Sequence, residues 1–230
     1  MLLIKNLPFS NVVANGVATV SLPVGMSYNR FFLQLGGTFT KSMITDWKVR
    51  LNGKVIQQNT GARLDSINAY RKRGSAATFL IIDCVEPAAK LMAEQYVGNI
   101  NTAQGVSSLT LEVTIAGATA PTLESYSEIG PPAALGIIAK QLIYTTSFGG
   151  SGKFPFKLID IANRGAIIKR VHFAHGGLVS ALEVKKNGIV IHDNVPTAVN
   201  AFYQLDYNKT AQMTRAWMTT TATPSAPLTS

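Results

Sequence analysis

A single cysteine, Cys84, leaves this chain without an internal disulfide framework or a cysteine-rich metal site. It lies in the apolar stretch 79–85 with no basic residue beside it, so burial as a small hydrophobe is expected, not a reactive thiol. Histidine is also scarce, with three in 230 residues. His172 and His175 look like a ligand pair, but on a strand positions i and i+3 face opposite sides of the sheet. With only His192 elsewhere, a metalloenzyme or cupin-type centre lacks its ligands. Only 12 residues are acidic, and none of Asp46, Asp65, Asp83, Glu86, Asp160, Asp193 and Asp206 is placed by local spacing to form an acid/base pair. Long apolar runs are missing too. The longest, 133–139, is far below the roughly 18 residues that span a bilayer, and residues 1–5 are too short for a secretory segment. These absences predict a soluble, globular chain with no catalytic apparatus, no cofactor and no metal.

What is present is apolar and repetitive. Hydrophobic residues make up 47% of the chain and charged ones 14%, enough for real cores and against disorder. Residues 49–59, VRLNGKVIQQN, read as two strands around an Asn52-Gly53 turn, because a type I′ turn needs positive φ at both central positions. The phrase returns at 184–194 as VKKNGIVIHDN, 184 − 49 = 135 residues later, with six of eleven positions identical. Upstream, the strand 31–37 closing on Gly36-Gly37 matches 171–177 closing on Gly176-Gly177, and downstream 67–70 matches 199–202. The offsets of 140, 135 and 132 keep their order while the loops change length. One all-β unit used twice is the reading, since solenoid repeats have periods of about 20–50 residues.

Strands are expected at 17–24, 30–35, 78–85 and 109–115, the last with Leu109, Leu111, Val113 and Ile115 inward. Pro23 places the first of these at an edge or strand end. Helical spacing marks 62–71, with Asn59 and Thr60 available as caps. Residues 86–98 carry the strongest helix signal, with proline near the start and Gly98 at the end. Residues 116–134, rich in Gly, Ala, Pro, Ser and Thr, read as the linker. The domains are therefore 1–120 and 121–230. In the second, strands are expected at 140–148, 154–161 and 166–174, then the second hairpin and a short helix over 196–202.

The loop 149–154 resembles a phosphate cradle but has Ser147 where the first glycine is needed and Phe154 in place of Ser/Thr. A strand connection is the better reading. The sequon at Asn208 has no sign of secretion to support it. The formal net charge of +9 favours an anionic partner, and Arg71, Lys72 and Arg73 form the one basic run.

Certain segments together resemble a known family. They are 7–16 (LPFSNVVANG) leading into 21–28 (SLPVGMSY), then 49–54 (VRLNGK) and 68–73 (NAYRKR). Over roughly the first 120 residues the chain resembles the double-jelly-roll major capsid proteins of tailless, icosahedral, membrane-containing DNA phages, of the corticovirus type. The likeness thins beyond. It implies two tandem jelly-roll β-sandwiches with short helices in the connections, standing upright in a homotrimer that forms a pseudo-hexagonal tile. It further implies a virion protein made in the host cytoplasm, with other virion proteins, an internal membrane and non-specific nucleic acid as neighbours. Arg71, Lys72 and Arg73 would then face lipid, DNA or an adjoining trimer. Calcium occurs at acidic loops in such capsids, but no Asp/Asn-rich loop of the needed density appears here. The competing class is a jelly-roll receptor- or carbohydrate-binding protein, for which Tyr203, Asp206 and Tyr207 are the only suitable cluster, with Tyr203 and Phe202 assigned to the core.

The tail sets a further expectation. After the first short helix 115 − 70 = 45 residues run to the end of the last strand, whereas only 230 − 202 = 28 follow its counterpart. The second roll should therefore be shorter and leave an open edge. Residues 214–222 have β propensity and an anchor in Trp217, so they are expected to pair with that edge, in the same chain or a neighbour.

Overall fold

Period-two patterning and turn chemistry account for most of the architecture. The computed structural model describes residues 2–74, 76–133, 135–147, 149–156, 168–211 and 215–219, with the backbone alone described at 92, 93 and 215–219. Two compact units divide the chain, Met1–Ala69 with Arg73–Thr145, and Tyr70–Lys72 with Thr146–Ser230.

The first unit is a sandwich of two antiparallel sheets. Its strands are β1 (Leu2–Lys5), β2 (Val17–Leu22), β3 (Ser27–Gly37), β4 (Ile44–Leu51), β5 (Lys54–Asn59), β6 (Phe79–Asp83), β7 (Ile100–Asn101), β8 (Leu109–Ile115) and β9 (Pro121–Gly130). One sheet has the order β1-β9-β3-β6, with β7 also on β3, and the other β2-β8-β4-β5. Apart from the β4–β5 hairpin and the short β7, the chain changes sheet at each successive strand. That wiring is the jelly roll: eight strands wound as Greek keys so that two sheets close over one core.

The core follows from the alternation. Leu109, Leu111, Val113 and Ile115 are buried, facing Ala18, Val20 and Leu22 of β2 and Val49 and Trp47 of β4 in register. Phe31, Leu33 and Leu35 of β3 and Leu80 and Ile82 of β6 cover them from the other sheet. Each such side chain contributes roughly 1.5–3 kcal/mol by leaving water. Both edges of the β2-β8-β4-β5 sheet are covered. Ser10 exchanges two backbone hydrogen bonds with Thr19 on β2, and Gln141 runs parallel to β5, donating to Ile56 O and accepting from Gln58 N.

Cys84 lies in this core, 1% exposed, and burial beside the Asp83 charge pushes its thiol well above the usual thiol range. The folded chain should therefore be inert to a thiol reagent at neutral pH and react fully in urea. Equal rates in the two states would contradict the placement.

Both hairpins form. Asn52 and Gly53 have φ of 49° and 76°, and Asn187 and Gly188 of 51° and 80°. Helix α1 (Gly61–Tyr70) starts at Thr60, whose Oγ1 accepts from Arg63 N at 3.3 Å. It ends on Lys72, at φ 54°, with Arg73 N bonded to Asn68 O at 2.9 Å.

The second unit repeats the order of strand, hairpin and helix: β10 (Arg170–Ala174), β11 (Ala181–Lys186), β12 (Ile189–Pro196) and α3 (Thr197–Asp206). Strand β13 (Arg215–Thr219) pairs antiparallel with β10, placing His172 opposite Trp217. The tail thus joins a strand of its own chain, while the Trp217 side chain lies outside the described residues. Among the described residues no helix is long and apolar enough to cross a membrane.

Three expectations need correction. The helix over 86–98 reduces to α2 (Met92–Gln95), because Leu91 is extended and, with Val97, largely exposed. A helix with no apolar face to bury does not offset its nucleation. The linker over 116–134 is mostly strand β9, paired along its length with β1 and β3. Its inward residues are Leu123, Ser125 and Ser127, and the serines hide the apolar alternation. They are buried because Asn6 binds both, donating to Ser125 Oγ at 2.9 Å and accepting from Ser127 Oγ at 2.8 Å. The strand expected over 140–148 appears only as the Gln141 bridge. Residues 149–156 form no strand, and 157–167 lie outside the described residues.

Candidate functional site

Charged side chains on the outer face of the β1-β9-β3-β6 sheet are matched to one another. Arg30 of β3 stands opposite Asp83 on β6 and Glu128 on β9. Its Nε donates to Glu128 Oε2 at 3.0 Å, and its guanidinium lies over the Phe32 ring at 5.4 Å. Arg73, arriving after α1, donates from Nε to Asp83 Oδ2 at 2.8 Å. Those side chains are 12% and 1% exposed, so this is a buried ion pair. At the open end of the sheet Lys5 binds Glu124 at 2.9 Å and Tyr126 donates to the same carboxylate at 3.1 Å. The Glu124 bond holds the Lys5 ammonium above its usual range, and the Lys5 and Tyr126 bonds hold Glu124 below its own.

The three residues of the basic run have different surroundings. Arg73 belongs to the first unit and is bound to Asp83; Lys72 is exposed in the second and donates to Asn208 Oδ1 at 2.6 Å. Arg71 is half-buried. The residues that sequence reasoning missed are Arg30 and Glu128, partners through sheet register 98 positions apart. The one local signal was the alternation Glu124, Tyr126, Glu128 on the outer face of a stretch read as linker.

The histidines do not converge on a metal. His172 lies on β10 with its ring edge-on to Tyr70 at 6.3 Å, and His175 lies beyond the strand end. His175 Nδ1 accepts from Gly177 N at 3.1 Å, and burial lowers its pKa. No group of His, Cys, Asp or Glu among the described residues could hold a metal ion. In the glycine-rich loop Lys153 pairs with Glu183, whose carboxyl that bond and the one to Lys185 hold low.

Helix α3 departs from expectation. Phe202 and Tyr203, assigned to the core, are 67% and 54% exposed. Helical spacing puts Val199, Phe202, Tyr203 and Tyr207 on one face, and the two tyrosine rings stack at 6.2 Å. From residue 146 onward, only Ala201 and Gln204 are buried among the described residues.

The family profile described as viral coat protein P2 N-terminal domain matches residues 3–130, more than half of the chain. The viral coat protein P2 C-terminal domain matches residues 138–220. The first match ends where β9 ends. No curated protein matches. Among solved structures, the fold is similar to the major capsid protein P2 of bacteriophage PM2, at 20% identity and a TM-score of 0.74, over 95% of this chain and 82% of that one. It is also similar to the STIV MCP, at 10% identity and a TM-score of 0.50, over 94% and 84%. Both likenesses are of fold.

Proposed function

The chain belongs to the viral coat protein P2 family, and from that premise we propose that it is a major capsid protein that trimerises into pseudo-hexagonal tiles of an icosahedral shell over an internal membrane. The observation that carries the reading is that two coat-protein domains follow one another in a chain whose first unit is wired as a jelly roll. Two rolls per chain and three chains per tile give six columns of similar cross-section. The exposed apolar side chains support burial between copies. Leu178 is 94% exposed, Ile137 78%, Tyr207 68% and Phe202 67%. The net charge of +9 supports an inner face against lipid headgroups or DNA, held without base specificity. Within the basic run that contact would fall on the exposed Lys72, since Arg73 is engaged by Asp83. The pairing of β13 with β10 supports Trp217 as the anchor of the tail.

Negative-stain images of the concentrated, purified chain should show closed shells or flat arrays of tiles. Isolated spikes would overturn the reading in favour of a receptor- or carbohydrate-binding protein.

A further inference from the structure

The duplicated Asn-Gly turn is a matched pair inside one chain. Asn52 and Asn187 have φ of 49° and 51°, their glycines 76° and 80°, and both asparagines are exposed. Only the side chains differ. Asn52 Oδ1 accepts from Ser107 N at 2.8 Å, Ser107 Oγ at 3.1 Å and Ser108 N at 3.3 Å. Its Nδ2 donates to Gly105 O at 3.0 Å. The loop 105–108 thus ties down the whole carboxamide. The Asn187 carboxamide makes no hydrogen bond among the described residues.

An asparagine followed by glycine can lose its amide in water. The glycine nitrogen, after giving its proton to hydroxide, attacks the asparagine Cγ. The new N–Cγ bond forms as the Cγ–Nδ2 bond breaks, and Nδ2 takes up a proton and leaves as ammonia. Water then opens the cyclic imide at either carbonyl, giving aspartate or isoaspartate, with no oxidant or reductant involved. Glycine favours the attack because no side chain shields its nitrogen. The reaction requires the carboxamide to swing over its own backbone. At Asn52 that motion must first break the bonds to Gly105, Ser107 and Ser108; at Asn187 it breaks none among the described residues.

We propose that Asn187 is a deamidation site of this chain and Asn52 its protected counterpart. Conversion places a carboxylate at a tip that carries Lys185 and Lys186, and takes one unit from the net charge of +9. Lys185 already pairs with Glu183 at 3.1 Å, so the new carboxylate competes for it.

The test is peptide mapping by mass spectrometry on the full-length chain held in mildly alkaline buffer, folded and in urea. In the folded chain Asn187 should convert about tenfold or more faster than Asn52, as expected when several hydrogen bonds must break first. In urea the two rates should converge, because both asparagines precede glycine. Asn187→Gly keeps the positive φ and should remove the acidic species whose mass shift maps to residue 187, leaving only the slower conversion at Asn52 and at the third Asn-Gly, Asn15-Gly16. Equal rates in the folded chain would overturn the proposal, as would an unreacted Asn187 in folded chains whose urea-treated counterparts convert.

Discussion

Arg73→Ala lowers the stability of the chain by about 3–5 kcal/mol, the loss expected when one partner of a buried ion pair is removed. The size follows from Asp83, whose side chain is 1% exposed and keeps its charge out of water when Arg73 is gone. Arg30, the cross-strand neighbour of Asp83, cannot substitute because Glu128 engages its guanidinium. The double variant Arg73→Met with Asp83→Asn removes both charges and should recover most of the loss. Urea midpoints of the two variants measure the difference. Lys5→Ala is the control. Lys5 and Glu124 are 57% and 47% exposed, so that change should leave the midpoint nearly where it is. If Arg73→Ala were as mild as Lys5→Ala, the cluster would not be structural and its full charge would be free for lipid or DNA.

Gly37→Ala and Gly177→Ala should differ sharply although the two glycines occupy matched places in the repeat. Gly37 has φ 66°, and a Cβ there would stand 2.0 Å from the backbone oxygen of Ala120. A carbonyl at the turn into β9 cannot move aside without breaking the β3–β9 ladder. Left-handed strain of about 1–2 kcal/mol therefore adds to a steric term of about 1–3 kcal/mol. Gly177 has φ 89° but open space around it, so only the strain of about 1–2 kcal/mol applies. Thermal unfolding of both variants checks the contrast, and equal losses would refute it.

Local chemistry was legible in the sequence, and distant pairing was not. The Asn-Gly turns, the alternation of β8 and the two short helices each depend on neighbours within a few positions, and each forms where the pattern puts it. Strand β9 was missed because its buried face is built from Ser125 and Ser127, which only Asn6, some 120 positions away, makes tolerable inside. The helix signal over 86–98 was misleading because spacing alone does not say whether a core exists for Leu91 and Val97 to enter. Phe202 and Tyr203 were assigned to the core by hydrophobicity, yet α3 turns Ala201 and Gln204 inward instead. The basic run was visible as charge, but Asp83, the residue that takes Arg73 out of it, is found only through the fold.

The central claim is that the chain builds a shell by associating with copies of itself, three to a tile. Native mass measurement on the purified full-length chain at micromolar concentration tests it most directly. A dominant species at three times the chain mass, or multiples of it, is the predicted result. A strictly monomeric chain at high micromolar concentration would contradict it.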